Sequence, residues 1–522
     1  MSQPPSERPN APAPPIQRRA GRGVLWISGA KVLFVLLGFA VQFGLPRVLA
    51  STSEFGLLSS AMTFTAILTN AMTSSMVQTT SKLVAEASGR PVARTIALRH
   101  AGIGAAIAIA LAIGAELVGL HVLHQRALVP LVRLSSVIVV AYAVYATAIG
   151  ALNGGQRFAR QAQLDATFSV ARTLGLLGGG LALGVAGSAM GGFAAAAIAM
   201  AVVGTVVARL LEPTSGNLAP LDTHLRVLVP IALYQLFLNG LLQLDLEILM
   251  TGATFTAREA GTPLEEAAHF ASEQAGLYRA AQTLAFVPYQ LVTSVTLVLF
   301  PIVARAASLG DEEGVQSAVR GALRFSAILL AGLLAPLAGG AEGAVRFAFP
   351  AAYVEAADAV PALAAGQFFF ALGVVQATVL VSRGLVWRTV LLVLATATVG
   401  AVGNLLAWEI APNALRVGTA VGTAVGGLAM WAGTAFVLTR STGMDETVAR
   451  PALGIGARVA VAAALACAVA RALPQTDRWA GLVAILGGGL AYVVALAITG
   501  EIGREELALV RRVLERGANK GA

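Results

Sequence analysis

Apolar residues in this chain come in long runs rather than in alternation. The first run, "WISGAKVLFVLLGFAVQFGLP", extends from Trp26 to Pro46 and is interrupted by one charge, Lys31. A half-buried strand would alternate with a period of two, whereas about 20 apolar residues in a row are what an α-helix needs to cross a bilayer core. Such runs lie near 24–46, 56–79, 101–122, 128–150, 162–184, 188–210, 227–250, 276–302, 322–341, 359–382, 389–408, 416–438, 453–473 and 479–500. The pattern predicts an all-α polytopic membrane protein of about 14 transmembrane helices. The connecting loops are short, apart from roughly Thr251 to Ala275.

Composition agrees. Of 522 residues, 57% are hydrophobic and 12% charged, against about 25% charged in soluble domains. A water-soluble fold of this size has nowhere to hide so much apolar surface. The start, "MSQPPSERPNAPAPPIQRRAGRG", is Pro-rich and polar and reads as a disordered tail over 1–22. No signal-peptide pattern follows it, and the first run lacks a small-residue cleavage site, so it is expected to be an uncleaved first helix. Cys467 is the single cysteine, which leaves no internal disulfide and no cysteine-built metal site. The net charge of +9 does not imply nucleic acid. Lys and Arg outside the runs favour the side of the N-terminus by about three to one, and such residues gather on the cytoplasmic side. Both termini are therefore expected in the cytoplasm.

The chain contains an internal repeat. "SEFGLLSSAMTFTAILTNAMTSSMVQTTSKLVAEA" begins at Ser53, and "SEQAGLYRAAQTLAFVPYQLVTSVTLVLFPIVARA" begins at Ser272. Each opens on an acidic turn and a Gly-Leu pair and continues into a helix dotted with Thr, Ser and Gln. The offset is six spans, an even number, so both copies run the same way across the membrane. Parallel repeats related by an axis along the membrane normal predict two facing lobes with a substrate cavity between them. The resulting organisation is an N-lobe over 23–211, a cytoplasmic linker over 212–224 ("EPTSGNLAPLDTH"), a C-lobe over 225–445, two further helices over 446–500 and a cytoplasmic tail over 501–522. That tail, "REELALVRRVLERG", places Leu507, Val510 and Leu514 on one face, as in a helix lying on a membrane surface.

In "GLPRVLASTSEFGLLSSAMTF", "SSMVQTTSKLVAEA", "EQAGLYRAAQTLAFVPYQLVTSVTLVLFPIVAR" and "FAFPAAYVEAADAVPALAAG" the chain resembles the polysaccharide transporter and oligosaccharide flippase family. That family includes O-antigen flippases and sits in a superfamily with multidrug extruders and the lipid II flippase. The resemblance runs from about Gly23 to Gly500. It implies movement of an undecaprenyl-diphosphate-linked oligosaccharide across a bacterial inner membrane. It also implies membrane lipids as surroundings and a polysaccharide polymerase and glycosyltransferases as partners.

Polar residues inside the spans mark the expected cavity. In the seventh run, Gln235, Asn239, Gln243 and Glu247 recur every four residues and form one sloping stripe, roughly 18 Å long. Four in a row point to a wet cavity, with an internal hydrogen-bond seam as the alternative. Asp245 is turned away from this stripe and must face another helix, lipid or the outer interface. The second run has Asn70, Ser74 and Gln78 at the same spacing, with Lys82 past its end; the repeat sets these beside Arg279, Gln282, Thr283, Gln290 and Ser294 in the eighth. Spans one, two, seven and eight are expected to face the cavity.

Charges within spans are costly and usually functional. Lys31 lies roughly 11 Å from the inner end of its helix, where it either snorkels to the headgroups or holds the anionic part of a substrate. Arg172 is deeper, with Asp165 two turns earlier as the structural partner to weigh. Arg279 is expected to pair with Asp245 or Glu247. If transport is coupled to H+ or Na+, the carrier is an intramembrane carboxylate: Glu247 first, then Asp245 or Glu116.

The remaining searches are negative. No G-x-x-x-x-G-K-[ST] phosphate loop occurs, so the chain does not use ATP as an ABC-type pump does. "GLLGGGLALG" and "GIGAAIAIA" lie inside apolar runs, where close helix packing explains them. The five histidines, His100, His121, His124, His224 and His269, are read as lying in or near loops with no ligand set, so no metal and no cofactor is expected. Three classes remain: a lipid-linked oligosaccharide flippase, a cation-coupled multidrug or small-molecule antiporter or lipid II flippase of the same superfamily, and a membrane enzyme. The last normally carries a large outer catalytic loop, which this chain lacks, so it is expected not to be an enzyme.

Overall fold

The computed structural model describes residues 15–87, 92–213, 220–442 and 446–501. Most of the expected tail at 1–22, the core of the linker at 214–219, and the surface helix expected after 501 lie outside the described residues. The described residues form helices and no strand. In chain order these are α1 (Pro15–Val48), α2 (Thr52–Glu86), α3 (Ala93–Glu116), α4 (Leu128–Gly154), α5 (Phe158–Leu183), α6 (Ala186–Val207), α7 (Leu221–Glu259), α8 (Leu264–Ser308), α9 (Glu312–Gly339), α10 (Ala341–Ala348), α11 (Val360–Ser382), α12 (Val386–Ile410), α13 (Leu415–Thr442), α14 (Glu446–Ala472) and α15 (Arg478–Ile498). Among the described residues thirteen helices are long and apolar enough to cross a membrane. They coincide with thirteen of the fourteen expected spans. The other, 276–302, lies within α8, one continuous helix of 45 residues.

Two boundaries move, and the long loop expected from Thr251 to Ala275 is helix apart from 260–263. α1 starts at Pro15, so 15–22 is helix and not irregular tail. Proline suits the first turn of a helix, and the Gln, Arg and Ala that follow are good helix formers. α7 starts at Leu221 and takes in the last residues assigned to the linker.

Polar caps set several ends. Ser51 Oγ accepts from Glu54 N at 3.2 Å to start α2. Asp311 Oδ1 accepts from Gly314 N at 2.8 Å ahead of α9, and Asp477 Oδ1 takes the N–H groups of Trp479 and Ala480 ahead of α15. These satisfy donors that a helix start otherwise leaves open. The two N–H donors also hold the Asp477 carboxyl below the usual carboxylate range.

Helices α1–α6 make the N-lobe. There α2 packs on α4, α4 on α3 and α6, and α5 on α1 and α6. Helices α7–α13 make the C-lobe, and α14 and α15 lean on α9 and α10. Tyr492 fixes this last pair: it is buried, and its hydroxyl donates to Ile328 O at 2.9 Å. α7 is shared between the lobes. Near its start, Leu228 is buried with Met72, Met76, Ala108 and Val139 of the N-lobe. Three turns on, beyond Pro230, Leu238 and Leu241 are buried with Phe370, Val374 and Met430 of the C-lobe. α2 reaches across to pack on both α7 and α8.

Candidate functional site

The two copies of the repeat meet each other. α2 and α8 begin at the same end of the bundle, and there Ser53 and Ser272 hydrogen-bond side chain to side chain. Thr52 Oγ1 donates to Glu273 Oε1 at 3.4 Å. One turn on, Gly56 and Gly276 face each other. A Cβ on Gly56 would run into the carbonyl oxygen of Ser272, and one on Gly276 into that of Thr52. Missing side chains are what let the two backbones come so close. The acidic residue of the first copy holds a different helix in place, since Glu54 Oε2 accepts from Ala186 N at 2.7 Å and so caps α6.

From this crossing the seam continues along α2 and α7. Ser60 Oγ donates to Glu247 Oε2 at 2.6 Å, and the other carboxylate oxygen, Oε1, has no partner. Ten residues further along α2, Asn70 Nδ2 donates to Asn239 Oδ1 at 2.8 Å; Asn239 Nδ2 in turn donates to Gln235 O at 2.8 Å. Gln42 of α1 receives a hydrogen bond from Thr283 of α8 at 3.4 Å. α2 thus packs on α7 and α8 between the lobes, and α1 touches α8 at this contact.

Beyond Asn70 the helices stay in contact through Met72, Met76 and Leu228, while the polar positions become more exposed. Along α2, Ser74 is half-buried and Gln78 and Lys82 are exposed; along α7, Glu247, Gln243 and Asn239 are buried while Gln235 is half-buried. The four-residue stripes of α2 and α7 therefore belong to one surface. It is sealed where α2 begins, and its polar side chains become exposed toward the end where α2 finishes. Gln290, half-buried, lies further along α8, and the side chain of Ser294 is outside the described ones.

One wall of the N-lobe carries charge. Lys31 on α1 is exposed, and its charge and that of Asp165 on α5 act on each other. Asp165 Oδ1 also accepts from Tyr145 Oη at 2.7 Å. Arg172, two turns along α5, does not pair with Asp165. Its guanidinium lies 5.7 Å from the centre of the Phe34 ring and 5.4 Å from that of Phe193, and its Nε has no hydrogen-bond partner. Two ring faces replace the carboxylate as its neighbours. Phe34 is one turn from Lys31, so both cations sit on the α1–α5 wall.

The C-lobe encloses Asp245. Its carboxylate accepts from Tyr278 Oη at 2.8 Å, Thr423 Oγ1 at 2.9 Å and Gln282 Nε2 at 2.9 Å, so the side of α7 away from the stripe faces α8 and α13. Arg279 makes no direct ion pair with Asp245 or Glu247. It donates to Gln282 Oε1 at 3.3 Å, so Gln282 bridges the guanidinium to Asp245. The reason is spacing: Arg279 and Gln282 are one turn apart on α8, and the amide reaches Asp245 first. Glu116 is exposed and held by Arg133 at 2.7 Å.

Two features have no counterpart in the sequence pattern. An apolar cavity of about 780 Å³ lies between α9, α11, α13 and α14, lined by Leu323, Phe368, Leu372, Trp431 and Val459, with Arg320 and Arg324 also at its wall. His100 and His224, read from sequence as loop residues, are instead buried within helices, and their Nε2 atoms lie 3.0 Å apart. Separated by 124 positions, they leave no trace in local spacing.

A family model described as polysaccharide biosynthesis protein matches residues 45–358. Among curated proteins no sequence matches. Among solved structures, the lipid II flippase MurJ in an inward closed conformation is 14% identical, with a TM-score of 0.69 over 92% of this chain and 99% of that one. An inward-facing multidrug resistance MATE family transporter of the MOP superfamily is 13% identical, with a TM-score of 0.60 over 77% of this chain and 94% of that one. A MOP superfamily transporter from Pyrococcus furiosus is 13% identical, with a TM-score of 0.56 over 81% of this chain and 96% of that one. All three likenesses concern the fold.

Proposed function

The chain belongs to the polysaccharide biosynthesis protein family, and on that premise we propose that it flips undecaprenyl-diphosphate-linked oligosaccharide across the bacterial inner membrane by alternating access. The observation that carries this reading is the polar seam of α2 and α7, joined at Ser60–Glu247 and Asn70–Asn239 and exposed at Gln78. A sugar headgroup needs such a face, because cavity water and amide and hydroxyl side chains then stand in for its hydration. With both termini in the cytoplasm, as the distribution of Lys and Arg favours, the exposed end of the seam faces inward and the α2–α8 crossing is the outer gate.

In this reading Lys31 and Arg172 receive the diphosphate from the cytoplasmic side. The apolar cavity beside α14 offers matching chemistry to an isoprenoid tail, while the glycan lies along the seam. Transport then exchanges the sealed outer gate for a sealed inner one by rocking the lobes about the seam. Glu247 is the residue we assign to any coupling with an ion gradient. It is a buried carboxylate at the gate with one oxygen unpartnered, and a proton there needs no change in the Ser60 hydrogen bond. The reaction is transport, with no bond made or broken in the substrate. Complementation of a flippase-deficient strain, scored by surface polysaccharide at controlled protein level, tests the assignment.

A second reading is a cation-coupled small-molecule antiporter. It rests on Asp245, whose surroundings of Tyr278, Thr423 and Gln282 oxygen and nitrogen atoms enclose a carboxylate deep in the C-lobe. Drug efflux in vesicles, with no movement of lipid-linked glycan, would favour it.

A further inference from the structure

His100 and His224 add a polar contact to the apolar packing that holds the start of α7 on the N-lobe. His100 lies on α3 in the N-lobe. His224 is in the first turn of α7, the helix that starts on the N-lobe and continues, past Pro230, into the C-lobe. Both side chains are fully buried, their ring centres are 5.0 Å apart, and their Nε2 atoms are 3.0 Å apart.

One placement of the protons satisfies Thr147, Ala143 and His100 together. Thr147 has one hydroxyl proton, which it gives to Ala143 O at 2.9 Å. Its oxygen is therefore the acceptor in the 2.9 Å contact with His100 Nδ1, so that nitrogen carries a hydrogen. The Nε2 of neutral His100 then holds a lone pair, and His224 Nε2–H donates to it. His224 Nδ1 is left bare, buried and without a partner.

This arrangement limits what the pair can hold. One extra proton fits on His224 Nδ1 without disturbing the Nε2–Nε2 bond, though it leaves a buried N–H unmatched. A second, on His100 Nε2, sets N–H against N–H and charge against charge, and the contact cannot survive. Among the described residues nothing that acts on the rings offsets the charge. The charged group that acts on the rings is Arg99, also positive. α2 presents the Thr80 hydroxyl at 3.5 Å and α4 that of Thr147, and Asp222 on α7 is paired with Arg226 on the exposed side. A metal is not the better occupant, since no third His, Cys, Asp or Glu completes a set among the described residues.

We propose that His100 and His224 form a proton-binding site that clasps the start of α7 to the N-lobe and releases it when both rings are charged. The direction follows from linkage. Parted imidazoles take up protons near their ordinary value of about 6.5, and the clasped pair cannot hold both. The clasp is therefore favoured above that pH and lost as pH falls through it. With the clasp released, apolar contacts such as Leu228 with Ala108 alone hold the start of α7 on α3, and α7 can shift against it.

The test is a distance, independent of which substrate the protein carries. Spin labels are placed on the full chain in lipid vesicles at Leu225→Cys, beside His224, and at Ile113→Cys, about 20 Å along α3 from the clasp, with Cys467→Ala to remove the native thiol. Between pH 7.5 and 5.5 the population with a longer distance should rise about threefold or more. It should stay constant in His100→Gln, where the amide still accepts from His224 and donates to Thr147 but takes no proton. His224→Gln, which still donates to His100, is the second variant should the first not fold. The same rise in either glutamine variant, or no rise with both histidines present, would overturn the proposal.

Discussion

Ser53 on α2 and Ser272 on α8 hydrogen-bond to each other across the two lobes, and each is the first residue of its own copy of the internal repeat. The symmetry axis between the lobes therefore passes close to this contact. A gate built on it closes with the same residues from either side, and the glycine one turn further on each helix sets how tightly it closes.

Replacing Gly56 by Val should prop this gate open. The added methyls would meet the Ser272 carbonyl, and overpacking of this kind costs about 1–3 kcal/mol. The expected result is a protein that inserts normally, melts earlier in detergent and leaves the start of α2 accessible to a water-soluble thiol reagent through Ser53→Cys in the Cys467→Ala background. Protection equal to that of the unsubstituted gate would remove Gly56 from this role.

Asp245 and Glu247 should respond differently to amide replacement. Gln at 247 still accepts from Ser60, so Glu247→Gln should keep its stability and lose dependence on the ion gradient in vesicle transport. Asn at 245 turns an NH2 toward at least one of four donors, Tyr278, Thr423, Gln282 and the Leu246 N–H, and a mismatched buried group costs about 1–3 kcal/mol. Asp245→Asn should therefore lower the melting temperature, and Gln282→Leu should lower it too by removing the link to Arg279. Gradient dependence retained in Glu247→Gln would move the coupling role to Asp245.

Lys31 and Arg172 separate by chemistry. Lys31→Arg should keep most transport, Lys31→Gln should lose most of it and Lys31→Glu all of it, at equal protein level, because a point charge is what a diphosphate needs there. Arg172→Lys gives up the stacking on Phe34 and Phe193 and about 1 kcal/mol with it, so it should lose stability as well as transport. Near-normal surface polysaccharide from Lys31→Gln would return Lys31 to the membrane interface and leave the anion to Arg172.

Much of this was legible in the sequence because helices in a bilayer announce themselves by length and apolarity. The stripe Asn70, Ser74, Gln78 and its counterpart Gln235, Asn239, Gln243, Glu247 were legible for the same reason: within a helix, spacing fixes the face. Contacts between distant helices were not. Nothing near Asp245 points to Thr423, and nothing near Arg172 indicates that aromatic faces, and not Asp165, surround it. Arg279 was expected to reach a carboxylate directly, but a glutamine one turn away intervenes. The pairing of His100 with His224 depends on where the start of α7 docks, which is a tertiary fact.

Movement of lipid-linked glycan across a sealed bilayer tests the central claim most directly. Vesicles containing the purified protein are loaded with undecaprenyl-diphosphate bearing a fluorescent oligosaccharide, and an impermeant glycosidase reports the share exposed outside. The account predicts that nearly all of the glycan becomes accessible with the native protein. Only the initially outward-facing share should be accessible when Ser53→Cys and Ser272→Cys, in the Cys467→Ala background, are oxidised to lock the gate. Accessibility no greater than in protein-free vesicles, or the same movement with the gate locked, would contradict it.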